Sequence, residues 1–301
     1  MVRFLKALRD KGETVDEITG AAKVMREKSA RIDAGKNLVD TCGTGGTGIN
    51  TFNISTAAAF VTAGCGVKVA KHGNRSASGH CGSADVLEAL GIKLDLAPKA
   101  VRKTIIDAGI GFMFAPLFHS AMKYAAGPRR EIGGRTIFNI LWPLSNPAGA
   151  SAQVIGVYDG NLTQVLAKVL KKLGSKRALI VHGSDGLDEI TVTGKTKITE
   201  LKGKKINTYM VSPEDFGISR ASLKDIKGGS AQENAKVLLS ALEGKPGAAR
   251  DIVLLNAAAA LLAAGKARDL KTGVKLAARS IDSGAALKKL EKLREMTTAS
   301  V

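Results

Sequence analysis

The stretch Asn37–Thr56, NLVDTCGTGGTGINTFNIST, constrains this chain more than any other. Apolar residues run into Gly43, Gly45, Gly46 and Gly48, then into Ser-, Thr- and Asn-rich sequence continuing as NISTAAAFVTAG. The pattern predicts a buried strand, a glycine turn and an apolar helix closing at Gly64. GVKVAKHG (66–73) reads as a second buried strand, so residues 37–71 form a β–loop–α–β unit.

Gly43–Gly48 has the form GxGxxG, the dinucleotide fingerprint. That fingerprint needs an acid about 20 residues on, to hold the ribose. Here the second strand ends in Lys71-His72-Gly73-Asn74-Arg75, with a cation where the carboxylate belongs. No Gly-Lys-Ser/Thr closes the loop, so it is not a P-loop either. What survives is an anion seat: glycines let backbone N–H groups crowd a phosphate, and the following helix adds its positive end. Thr44, Thr47, Asn53, Ser55 and Thr56 add side-chain donors, and Lys71 and Arg75 are expected to face the same crevice. A glycine-rich strand end beside a basic one suggests a diphosphate clamp.

The 301 residues are 45% hydrophobic and 24% charged, enough to build a core. A net charge of +18 favours anionic partners without naming one, and the excess is spread as a solvated basic surface. Cys42, Cys65 and Cys81 form no CxxC, which predicts a reduced, cytoplasmic setting. Met1–Asp10 is charged throughout and does not read as a signal peptide. The apolar run at 252–265 is too short to span a bilayer, contains Asn256 and reads as a buried core helix.

Along the chain, Thr14 and Glu17 form a capping box before a helix carrying Ile18, Ala22 and Met25. SADVLEALG and PKAVRKTIIDAG read as amphipathic helices, and GFMFAP as a strand. Residues 119–150 are rich in proline and read as a helical excursion with turns. AQVIGVY, a helix over 161–173 and RALIVHG restore strand–helix–strand alternation, and the tail from Ser230 is mostly helical. The expectation is α/β: a larger domain with a central mixed or parallel sheet, plus a small helical domain. We place the helical domain at 1–35 and 117–148, and the α/β domain at 36–116 and 149–301.

GTGG-x-G with N-x-ST, then KHGNR and GSAD, resembles the anthranilate phosphoribosyltransferases. FAPLFHSAMK, RREIGGRTIFNIL, PLSNPA, IGVY, GLDE and EDFG follow in the family's order, so the resemblance covers essentially the whole chain. It implies the fold shared with nucleoside phosphorylases. It also implies Mg²⁺-dependent transfer of phosphoribose from phosphoribosyl diphosphate to the amine of anthranilate, in tryptophan biosynthesis. By the same resemblance the diphosphate falls on Gly43, Gly46, Thr47, Thr51, Asn53, Ser55 and Thr56. It also falls on Lys71, Gly73, Asn74, Arg75, Ser76, Ser78 and Gly79, with Ser83 nearby. Mg²⁺ falls on Ser55, Asp188 and Glu189, a donor set that suits a hard cation. Anthranilate falls against Gly43, Asn74 and Arg129, whose planar fork suits a carboxylate, with His72 in reach. His80, His119 and His182 are expected to be structural, and no general base is assigned.

Three features depart from the family. Thr47 stands where it usually has Asp, and Trp142 where it usually has Gly. The chain also starts later, without a helical layer that commonly supports subunit contact; a homodimer remains the expectation. Two other readings stand beside this one: a nucleoside phosphorylase, and a non-catalytic relative binding nucleic acid through its basic surface. The retained Lys71, Asn74, Arg129, Asp188 and Glu189 argue against the latter, as does the lack of interleaved aromatics.

Overall fold

A computed structural model describes residues 1–76 and 81–299. The expected site residues Ser78 and Gly79, and also His80, lie outside the described residues.

One mixed sheet organises the chain. Strands β1 (Val39–Gly43), β2 (Val69–Gly73), β3 (Ile110–Phe114), β4 (Ala152–Gly156) and β5 (Arg177–Gly183) are parallel. Strands β6 (Thr196–Lys202) and β7 (Lys205–Val211) add an antiparallel hairpin, giving the order β3-β2-β1-β4-β5-β6-β7. The helices are α1 (Val2–Lys11), α2 (Val15–Lys28), α3 (Ile54–Gly64), α4 (Ser83–Ala89), α5 (Pro98–Asp107) and α6 (Ala115–Phe118). Then follow α7 (Lys123–Ile132), α8 (Ile137–Leu144), α9 (Leu162–Lys172), α10 (Ala231–Leu242), α11 (Ala248–Ala263), α12 (Leu270–Asp282) and α13 (Ala285–Thr298).

The strands sort their side chains by the two-residue period. Val154, Leu179 and Val181 face a core with α3, α10, α11 and α13, while Ile155, Ala178 and Ile180 face the other side with α9. Helices cover both faces, as buried parallel strands require. The apolar 252–265 run is the core helix α11, and Asn256 inside it donates to Ile190 O and accepts from Ile190 N. Helices α1, α2 and α8 join the sheet's second face through Leu5, Leu8, Ile18 and Leu141, in one cluster with Ile155 and Leu166. The Thr14–Glu17 capping box forms as expected.

Some boundaries shift. β1 and β2 begin at Val39 and Val69, after left-handed residues Asn37 (φ 60) and Gly66 (φ 81). The strand expected over GFMFAP stops at Phe114, because Pro116 cannot donate to a ladder and instead sits in the first turn of α6. The β6–β7 hairpin was not anticipated.

Candidate functional site

The strand order reverses between β1 and β4: β2 and β3 lie to one side of β1, β4 and β5 to the other. Loops leaving the carboxyl ends of β1 and β4 therefore splay apart and open a crevice. The glycine loop lies there. Thr44 N donates to Gly156 O (2.9 Å), and Tyr158 N donates to Thr44 Oγ1 (3.1 Å), tying the two loops at their base. Gly45 (φ 60), Gly46 (φ 72) and Gly48 (φ 76) take left-handed backbone that other residues adopt at a cost. Among the described residues, the backbone N–H groups of Gly46, Thr47 and Gly48 have no partner. Consecutive free amides in a left-handed glycine turn make an anion seat.

The acidic pair enters from the loop after β5. Asp188 Oδ2 accepts from Gly45 N (2.9 Å), so this carboxylate closes on the glycine loop. Two missing side chains make room for it. A Cβ at Gly43 would stand 2.4 Å from Asp188 Oδ2, and one at Gly156 would stand 1.6 Å from the Asp188 carbonyl oxygen. Beneath, Lys71 is buried on β2, and its Nζ donates to Thr41 O (2.5 Å) and Ser55 Oγ (3.3 Å). Burial pushes the Lys71 ammonium down, with Asp40 opposing. Burial pushes Asp188 up, opposed first by the Gly45 amide. Glu189 is pushed up to about 8, by burial and then by Asp188, while Lys71 and the Ser55 backbone oppose.

Two half-buried carboxylates, both raised by burial and Glu189 also by Asp188, stand next to Ser55, whose backbone opposes the rise at Glu189 and whose hydroxyl accepts from Lys71. That donor set fits Mg²⁺, which keeps waters and substrate phosphates in its shell. Among the described residues no group of three or more His, Cys, Asp or Glu could hold a metal alone, so substrate oxygens would have to complete the site.

Several expected site residues have other employment. Arg75 does not offer its charge to the crevice: its guanidinium pairs with Asp85 (3.0 Å) and Glu88 (2.5 Å) and lies over Phe114. Asn53 braces loops, donating to Cys81 O (3.2 Å) and accepting from Asn234 Nδ2 (3.1 Å). Thr47 Oγ1 accepts from Ile49 N (3.2 Å) and shapes the turn. Asn74 Oδ1 accepts from Arg75 N, and Ser83 Oγ donates to Asn74 O (3.3 Å), closing the loop after β2. Ser76 N and Gly82 N both donate to Asp85 Oδ2. Gly73 is required by packing, since a Cβ would stand 2.2 Å from Ser83 Oγ. Thr51 bridges to Lys227, and the buried Thr56 hydroxyl has no partner.

His72 lies on β2, buried, with its ring 5.0 Å from His119 and 5.9 Å from Trp142. Trp142 meets His119 edge-on at 5.5 Å. Burial holds His72 down to about 3 and His119 to about 4, so both rings are neutral, and both Nε2 atoms are unpartnered. Arg129 is half-buried on α7, its guanidinium 5.6 Å from the Phe138 ring centre, and burial alone depresses it. No carboxylate pairs with it among the described residues.

Sequence reasoning passed over Asp40 and Arg135. Asp40 is fully buried, accepts from His72 N (3.2 Å) and Asn146 Nδ2 (2.7 Å), and is pushed up by burial with Lys71 opposing. Its signal was a lone acid inside an apolar strand, NLVDTC. Arg135, between α7 and α8, donates to Gly46 O and covers the Tyr158 ring at 4.1 Å. No local pattern distinguished it from its neighbours.

Comparison with known proteins follows this geometry. Residues 35–287 match the model of the glycosyl transferase family a/b domain, and residues 1–29 that family's helical bundle domain. The chain is 61% identical to an anthranilate phosphoribosyltransferase of Moorella thermoacetica, covering 96% of this chain and 85% of that protein. It is 60% identical to one of Symbiobacterium thermophilum, over 98% and 86%. The crystal structure of the enzyme from Thermus thermophilus superposes with a TM-score of 0.94 at 43% identity, covering 99% and 89%. The enzyme from Saccharomyces cerevisiae in complex with PRPP and Mg gives 0.90 at 32% identity, covering 99% and 85%.

Proposed function

The chain belongs to the anthranilate phosphoribosyltransferase family, and we infer that it transfers phosphoribose from phosphoribosyl diphosphate to the anthranilate amine. Diphosphate is released. The observation that carries this reading is the contact of Asp188 with the glycine loop, which joins an acidic pair to a run of free amides at the strand switch point. These relatives favour neither the phosphorylase nor the nucleic-acid reading.

In this reading the amides of Gly46, Thr47 and Gly48 receive the diphosphate, and Lys71 supplies fixed positive charge below it. Asp188, Glu189 and the Ser55 hydroxyl would hold Mg²⁺, which offsets charge on the departing diphosphate. Donors aimed where charge develops favour the transition state over the bound substrate. Arg129 would orient the acceptor through its carboxylate, beside Asn74 and the wall formed by His72, His119 and Trp142. The neutral His72 has a free Nε2 that can accept a hydrogen bond. Arg75, tied to two acids, would order the loop rather than bind phosphate.

A division into a helical part (1–35, 117–148) and an α/β part belongs to the same proposal, as does a homodimer. Exposed Phe4 and Val24, on α1 and α2, support such a contact. A cytoplasmic setting fits the three free cysteines. No helix among the described residues is long and apolar enough to cross a membrane.

Loss of anthranilate fluorescence on adding phosphoribosyl diphosphate and Mg²⁺ tests the reading. Turnover that requires all three components is expected. Absence of turnover across a Mg²⁺ series would overturn it.

A further inference from the structure

We propose that Arg135 is a positioning residue that turns the glycine loop toward its anion, and so links the α7–α8 segment to diphosphate binding. The proposal rests on the reading of that loop as the diphosphate seat. Arg135 is exposed, yet its guanidinium is doubly engaged, lying 4.1 Å over the Tyr158 ring while donating to the Gly46 carbonyl. The Tyr158 backbone is tied to the same loop, since its N–H donates to Thr44 Oγ1 at 3.1 Å. The cation therefore sits over a ring anchored beside the loop, and stacking orients its fork.

A trans peptide holds its C=O and N–H on opposite sides. With the Gly46 carbonyl turned to Arg135, the Thr47 N–H must face away from it. That N–H has no protein partner among the described residues, and neither do those of Gly46 and Gly48. Without Arg135, the Gly46–Thr47 peptide is free to flip, because Gly46 has no side chain to resist rotation. A flipped peptide presents a carbonyl oxygen to the diphosphate and repels it. The Gly46 position is fitted to this contact, since a Cβ there would stand 3.3 Å from Arg135 Nε.

Calorimetric titration with phosphoribosyl diphosphate and Mg²⁺, without acceptor, is the test, run beside steady-state kinetics. Arg135→Ala should weaken diphosphate binding and raise its KM roughly tenfold or more, the size of one lost charge-assisted hydrogen bond. The anthranilate KM should stay within about threefold, and kcat at saturating donor should fall much less than kcat/KM. Arg135→Lys, which can reach the carbonyl but stacks poorly, should recover part of the affinity. Unchanged donor affinity in Arg135→Ala would overturn the proposal, whether or not its melting temperature falls. Equal loss for both substrates would do the same, marking Arg135 as merely structural. A wild-type protein that binds no phosphoribosyl diphosphate would instead defeat the reading of the loop.

Discussion

At the scale of single residues, burial decides which charges are present. His72 and His119 are held to about 3 and about 4, while the unfolded chain titrates near 6.5. Below that value the unfolded state binds protons that the folded state refuses, so stability falls as pH drops. Each ring should contribute about 1.4 kcal/mol per pH unit between roughly pH 6 and 4. Urea denaturation across that range should show the slope, and His119→Gln should remove about half of it; an unaltered slope would mean His119 is charged in the fold. Arg129 leads to a second expectation. With no carboxylate partner, its guanidinium is available to a benzoate, so Arg129→Ala should weaken anthranilate use by about 1.5–3 kcal/mol. Donor affinity should be nearly unchanged, and calorimetry showing equal weakening of both substrates would make Arg129 structural. The glycine loop and Lys71 could be read from local spacing at strand ends, whereas the Asp188–Glu189 pair came only from the family resemblance, because an acidic pair in a loop reads by itself as a solvated turn. Arg75 could not: the same KHGNR run reads as a basic cluster until Asp85 and Glu88 fold back onto it.

At the scale of elements, the parallel strands and their helices were legible because continuous apolar runs alternate with capped, amphipathic ones. The β6–β7 hairpin was not. Its turn, Lys202 to Lys205 with Gly203 at φ 58, carries lysines that read as scattered surface charge, and Thr and Asn interrupt its alternation. Tertiary partners hold it instead. Arg177 on β5 donates twice to Glu200 Oε1 on β6 (2.9 and 2.7 Å), and Tyr209 on β7 reaches Glu200 Oε2 at 3.4 Å. Both members of the ion pair are largely shielded, with side chains 15% and 17% exposed. Burial, then Glu200, pushes the Tyr209 hydroxyl up to about 12. Glu200→Ala strands Arg177 and should cost about 1.5–3 kcal/mol, with Glu200→Gln costing less. Thermal melting of both variants checks the order; equal losses would show that charge rather than shape is what matters there.

At the scale of the whole molecule, stability and activity oppose each other at the acidic pair. Burial makes both Asp188 and Glu189 unfavourable as carboxylates without a cation, and Asp188 adds to the cost at Glu189. Replacing both by Ala should therefore leave the melting temperature in chelator at pH 8 no lower than wild type. The same variant should lose most Mg²⁺-dependent turnover. It should also lose the rise in melting temperature that Mg²⁺ with phosphoribosyl diphosphate gives by binding only the folded state. If that rise persists, the metal is held elsewhere.

The seat of Asp188 also governs how this chain can diverge. Gly43 and Gly156 lie far apart in sequence, yet each borders the same acid. A mutation at either displaces Asp188: at Gly43 it meets the carboxylate itself, and at Gly156 it meets the Asp188 backbone, which no substitution at 188 removes. In a library selected for growth without tryptophan, both positions should return glycine alone. Gly20, helical and with open space around its Cβ position, should instead accept alanine freely and gain roughly 1 kcal/mol of helix stability. Inheritance would then treat glycines of identical chemistry as opposites: two that cannot drift, and one that drifts toward alanine.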